Sequence, residues 1–181
     1  MKRPVLVSLI VASALALIVL VLTMRSALHR EAAQPVPADV RNITVSIGNE
    51  KFELKDGLAE QPAAPGSSTR NTARIVGEPA LGDATGDAKP DAALVIVNEP
   101  GGSGTFYYAV VAVDHDGSYR ATNVIALGDR ISPQSIDFSD GHFVYRFLER
   151  KPDESMADAP TIETTVPIHV DGATDTISVG S

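Results

Sequence analysis

The chain has 181 residues, no cysteine, and 15 Lys and Arg against 23 Asp and Glu, a formal net charge of −8 at pH 7. All 23 acids follow residue 30 and only 11 of the bases do, so that portion carries −12, a field that repels phosphate backbones and excludes nucleic-acid binding. The lack of cysteine excludes disulfides and thiolate metal sites.

The first thirty residues stand apart. Lys2 and Arg3 precede VLVSLIVASALALIVLVLTM, an uncharged run from Val5 to Met24. About 20 apolar residues at ~1.5 Å rise cross a hydrocarbon core of ~30 Å. A cleavable signal peptide has an apolar region of roughly 7–15 residues and a small-residue cleavage site. Here the run is longer and is followed by Arg25, His29 and Arg30. The expectation is an uncleaved transmembrane signal-anchor over residues 1–30, with a cleaved signal as the alternative. A short basic N-terminal tail stays cytoplasmic, which puts the body in the periplasm or extracellular space. Residues 31–40, containing QPVPAD, read as a stalk, and residues 41–181 as the extracytoplasmic domain.

From Arg41 the pattern is that of strands. NITVSIGNEKFELKDG alternates at Ile43, Val45 and Ile47, turns at GNE, and alternates again at Phe52 and Leu54, as a hairpin does. Residues 59–71, AEQPAAPGSSTRN, read as a mobile loop, and ARIVGEP as a short strand. DAALVIVN (91–98) and TFYYAVVAVD (105–114) are apolar at successive positions, which predicts strands covered on both faces. EPGGSG joins them as an antiparallel hairpin, and HDG (115–117) turns the chain into SYRATNVIAL. PQSIDFSDGHFVYRFLER reads as a hairpin turning at Asp140-Gly141, with Phe143, Tyr145 and Phe147 on one face. In TIETTVPIHVDG, Ile162, Val166, Ile168 and Val170 share a face, and Pro167 predicts an edge strand. The expected fold is an antiparallel all-β sandwich or small barrel built from hairpins, preceded by one N-terminal transmembrane helix.

DATGDAKPD (83–91) places oxygen-bearing groups at alternate positions. Read as a calcium loop, the ligands are Asp83, Thr85, Asp87, the carbonyl of Lys89, and Asp91. Ala88 stands where such a loop wants glycine, and Leu94 replaces the bidentate Glu, which excludes an EF-hand. The other reading is a turn whose side chains cap their own backbone. No cofactor is required by the sequence; calcium is the one that this loop would admit. The loop and the strand after it resemble the loop-then-strand segment of FG-GAP and integrin-propeller repeats, although here the segment occurs once.

A wider resemblance spans about residues 77 to 165. GDATGDAKPDAALVIV, GGSGTFYYAVVAV, NVIALGDRI and LERKPDESMADAPT, in that order, look like an uncharacterised family of exported bacterial β-domains. Its members read roughly GDLNGDGxxDAAVVL, GGSGTFYYLAVV, LGDRV and DRKPxxPMxxxPT. The resemblance implies an extracytoplasmic domain and no particular activity. The chain departs from the pattern at Thr85, Ala88, Glu149 and Ser155.

Other constellations offer less chemistry. GGSGT lacks the fifth-position glycine and the following helix of a nucleophile elbow, and has no Gly-Lys-Ser/Thr for phosphate. His29, His115, His142 and His169 do not pair at metal-ligand spacing, so no zinc site is expected. LGDR and LERKPDE place Asp129, Arg130, Glu149 and Arg150 near strand ends. They read as ties that pin the loop after Glu149, or as a polar pocket for a carboxylate or sugar. In FYY (106–108), Phe106 and Tyr108 are expected in the core and Tyr107 on the surface as a ligand contact. The leading expectation is a non-catalytic binding or structural module of the cell envelope, with an envelope protein or glycan as partner and the membrane held by the N-terminal helix. The alternatives are a glycan hydrolase using Asp129 and Glu149 as paired acids, and a calcium-stabilised binding domain.

Overall fold

The computed structural model describes residues 36–155 and 157–180. The expected anchor over residues 1–30 and the first half of the stalk lie outside the described residues. Among the described residues no helix is long and apolar enough to cross a membrane. The folded body starts earlier than residue 41: a 3-10 turn, Ala38–Arg41, sets Val40 fully into the core, and Val36 packs beside it. The proline-containing composition of this stretch hides a buried valine.

Among the described residues twelve strands follow, all paired antiparallel. The first hairpin, β1 (Thr44–Ile47) and β2 (Glu50–Glu53), is a two-stranded sheet of its own. The second sheet takes β3 (Leu58–Pro62), β4 (Arg70–Gly82), β5 (Asp91–Glu99), β6 (Phe106–His115) and β7 (Ser118–Ala121) in that order, with β8 (Ile125–Asp129) also on β6. The third holds β12 (Thr176–Val179), β11 (Ile162–Asp171), β10 (His142–Glu149) and β9 (Ser132–Ser139).

The unbroken apolar runs explain the layering. Side chains alternate across a strand, so β5 and β6 send one set to each side. Ala92, Leu94, Ile96, Val110 and Ala112 meet the β1–β2 hairpin through Val45, Ile47, Phe52 and Leu54. Ala93, Val95, Ala109, Val111 and Val113 meet the third sheet through Phe143, Tyr145, Phe147, Ile168 and Ile177. The hairpins around residues 42–54 and 132–149 form as expected. Asp140 (φ +51°) and Gly141 (φ +77°) both take the left-handed conformation that a two-residue turn with the twist of its strands requires.

Three expectations are corrected. Residues 59–71 are not loop throughout: β3 pairs with β4 from Leu58–Arg74 to Pro62–Arg70, and residues 63–69 connect them. Pro62 fits because it ends an outer strand, where a missing N–H breaks no ladder. ARIVGEP is part of a 13-residue strand whose register shifts between Val76 and Ala80, beside Gly77 at φ +73°. β11 is an inner strand, not an edge. The N–H and C=O of one residue point the same way in an antiparallel ladder. The Pro167 carbonyl accepts the Gly180 N–H at 2.9 Å, so its ring nitrogen also faces the β12 side, just beyond the last residue of β12. The missing donor therefore takes no bond from β10.

Buried polar side chains tie the layers. The Asn98 amide donates to the Asn71 side-chain carbonyl (2.7 Å) and the Thr72 carbonyl (3.1 Å), and Asn71 donates to the Glu50 carboxylate of the first hairpin. Thr122 separates β7 from β8 and still serves β6: its hydroxyl accepts the Val111 N–H at 3.2 Å. Asn123 then acts as a strand partner for β12. Its side-chain oxygen accepts the Ile177 N–H (2.7 Å) and its amide donates to the Ile177 carbonyl (3.2 Å). Asn123→Ala removes both bonds and is expected to lower stability by about 1–3 kcal/mol, measured by urea unfolding, with amide exchange faster in Thr176–Val179 than elsewhere.

Candidate functional site

The sequence-identified residues fall into two groups at opposite ends of β5 and β6. A nine-residue strand such as β5 is ~30 Å long. At one end lies the Asp loop, between β4 and β5. One Asp83 carboxylate oxygen accepts the N–H of Gly86 (2.7 Å) and of Asp87 (3.0 Å), and the other that of Ala88 (2.9 Å). Asp87 accepts the Lys89 N–H at 3.0 Å and the Thr85 hydroxyl at 3.2 Å. Asp91 is fully buried: it accepts Ala84 and Thr85 N–H, both at 3.0 Å, and the Asp114 N–H of β6 at 3.1 Å. Ala88 takes φ +67°, the left-handed geometry for which glycine is the unstrained residue. The five loop residues are thus together, with their carboxylates turned to backbone amides. Among the described residues no three or more His, Asp or Glu are grouped to hold a metal.

The loop borders a cleft of about 430 Å³ formed with two other turns, those after β6 and after β11. Asp87, Asp114, Asp116 and Asp171 line it, with Lys89 and His115. Lys89 Nζ lies 2.9 Å from Asp116 and 3.5 Å from Asp87. The bond to Asp116 raises the Lys89 pKa above the ordinary value, the N–H of Lys89 holds Asp87 below its own, and the N–H of Ala173 does so for Asp171. Asp87 and Asp171 therefore stay ionised in the pH range where ordinary carboxyls begin to protonate. Asp175, from the turn before β12, lies 3.0 Å from His115 and 3.0 Å from Arg120, beside the cleft-lining His115. Asp114, Asp116, Asp171 and Asp175 were not singled out in the sequence. Asp116 and Asp175 sit in Gly-containing turns and Asp114 and Asp171 at the strand ends beside them, and only the stacking of hairpins brings those turns together.

At the other end, Asp129 accepts the Thr105 N–H (2.9 Å) and pairs with Arg130 (3.3 Å). Arg150 donates to two carbonyls, Arg130 at 2.7 Å and Asp158 at 2.6 Å. It thereby fastens the loop after β10 to the end of β8. Glu149 accepts the Thr164 hydroxyl at 2.7 Å. Asp129 and Glu149 thus face separate partners, an arginine with an amide in one case and a threonine in the other. Tyr107 is half-buried against the core shared with the third sheet, Tyr108 against the core on the other face, and Phe106 is exposed. The expectation of Phe106 in the core is corrected by position, while Tyr107 faces the side opposite Tyr108, as expected. Both faces of β6 are covered, so alternation gives no outward residue, and Phe106 opens the strand where the cover ends.

Set against protein-family models, curated proteins and solved structures, the chain matches none.

Proposed function

We propose that the chain is a membrane-tethered β-sandwich module on the outer side of a cytoplasmic membrane, which binds its ligand without transforming it. The single observation behind this reading is the cleft of three stacked turns, a concave surface lined by four aspartates on a body of strong negative charge. Such a surface favours a ligand with protonated amines. The uncharged run from Val5 to Met24 supplies the tether. The commitments of Asp129 and Glu149 speak for binding over glycan hydrolysis, which needs one carboxyl poised as acid and a second as base or nucleophile.

Spermidine titrated into the full chain in detergent, followed by amide NMR, is expected to shift Asp87, Asp116 and Asp171 saturably. Replacing Asp116 and Asp171 by Asn should weaken binding about fivefold, the scale of two partly exposed charge contacts. Shifts spread evenly over the surface without saturation would remove the cleft from the proposal. Recovery of the full chain in the soluble fraction of lysed cells would remove the tether.

A further inference from the structure

The cleft of three turns already holds one ammonium group, and it belongs to the chain itself. Lys89, from the Asp loop, reaches Asp87 of its own loop and Asp116 of the turn after β6. Asp87 gives Oδ1 to the Lys89 N–H and the Thr85 hydroxyl, while its Oδ2 lies 3.5 Å from Lys89 Nζ. Asp116 Oδ1 accepts from Nζ at 2.9 Å. Asp114 and Asp171, by contrast, accept N–H groups of their own turns, from Gly117 at 2.6 Å and from Ala173 at 2.9 Å.

The walls around this contact are held, and the lysine stem is free to turn. Gly172, after β11, lies against Thr85, where a Cβ would come within 2.9 Å of the Thr85 side chain. The Lys89 N–H is bound to Asp87, and Pro90 restricts the Lys89 backbone to extended conformations. The Lys89 side chain is 40% exposed and that of Asp116 is 92% exposed. A solvent-facing stem changes rotamer within nanoseconds, so Nζ can leave with no movement of the backbone.

We propose that Lys89 stands in for the ligand: the subsite shared by Asp87 and Asp116 takes a primary alkylammonium group, and an incoming one must displace Lys89. The proposal rests on the amine-binding reading above and adds the group recognised and the contact that competes with it. An ammonium carries three N–H donors on a compact charge, which two carboxylates from separate walls can share. A quaternary nitrogen carries the same charge and no donor. Because Lys89 is tethered beside the subsite, it competes at the effective concentration of an intramolecular partner.

The test measures spermidine binding to the full chain in detergent by calorimetry, with nitrogen NMR of the Lys89 ammonium. In the parent, binding is expected to shift that signal as the bond to Asp116 is exchanged. Lys89→Met should bind spermidine about three- to fivefold tighter, the scale of one exposed ion pair. That gain should vanish when both proteins also carry Asp116→Asn, because the lysine then no longer covers the subsite. A gain that persists would mean that Lys89 acts only by its charge at a distance, and overturns the proposal. Spermidine with every nitrogen quaternised by methyl groups should bind the parent at least about threefold more weakly, since it makes no charge-assisted hydrogen bond. Equal affinity for the two compounds overturns the proposal as well. Saturable binding of the same strength in the parent and in Lys89→Met refutes displacement and leaves amine binding by the cleft intact. Absence of saturable binding in both refutes the cleft reading itself, and this proposal with it. Thermal melts confirm that each variant is folded.

Discussion

Asp91→Ala is expected to be among the most damaging single replacements in the domain. The carboxylate is fully buried at the start of β5 and takes three backbone N–H groups, two from its own loop and one from Asp114. Truncation strands all three. An unsatisfied buried group costs about 1–3 kcal/mol, so a loss of about 3 kcal/mol or more is expected from a domain stability of about 5–15 kcal/mol. The measurements are urea midpoints and melting temperature, with a fall of about 10 °C. An unchanged midpoint would mean that the loop is held by something other than this side chain.

The same residue gives a pH dependence of defined sign. Burial pushes the Asp91 carboxyl above 3.8, and the three amides oppose it in part. The folded state thus holds this proton more tightly than the unfolded chain. The linked stability is fully present below the unfolded pKa and is lost as pH rises through the folded one. Asp91→Asn cannot titrate. The stability of the parent minus that of Asp91→Asn should therefore fall as pH is raised from 3.8. Asp87 and Asp171, whose lowered pKa values act in the opposite sense, are present in both proteins and cancel.

Tyr145 carries the second large effect. Its ring is buried between the third sheet and the central strands, and its hydroxyl donates to the Val110 carbonyl at 2.9 Å, with the Leu94 carbonyl at 3.2 Å. Burial pushes the phenol far above its ordinary value, so it remains a donor at any pH the fold meets. Tyr145→Phe is expected to lose about 1–2 kcal/mol, the hydroxyl alone. Tyr145→Ala should lose about 3–5 kcal/mol, because a ring-sized cavity is added. Equal losses in the two variants, read from chemical denaturation, would show that the hydroxyl and not the ring joins the layers.

What could be read in the sequence follows from the range of the interaction. The first hairpin was legible because Ile43, Val45, Ile47, Phe52 and Leu54 alternate around a short turn, and all five are buried. Asp140-Gly141 was legible because its backbone geometry is local. Pro167 misled because the rule that puts proline at an edge concerns the strand, while the outcome depends on which neighbour faces that one nitrogen. Residues 59–71 misled because Gly, Pro and Ser mark the turn at 63–69 and obscure the pairing on either side. The reading of Asp129, Arg130, Glu149 and Arg150 as loop ties came from the chemistry of guanidinium with carbonyls, and Arg150 makes such bonds.

The sequence by itself determined an all-β domain of antiparallel hairpins, with β5 and β6 covered on both faces, because side-chain periodicity and turn chemistry act within a few residues. It also showed that the Asp loop has the means to cap its own amides. The tertiary structure alone decided that three distant turns share one cleft, that Asn123 completes β12, and that His142 stacks on His169. Those contacts depend on the register and stacking of strands far apart along the chain, which alternation within any one strand leaves undetermined.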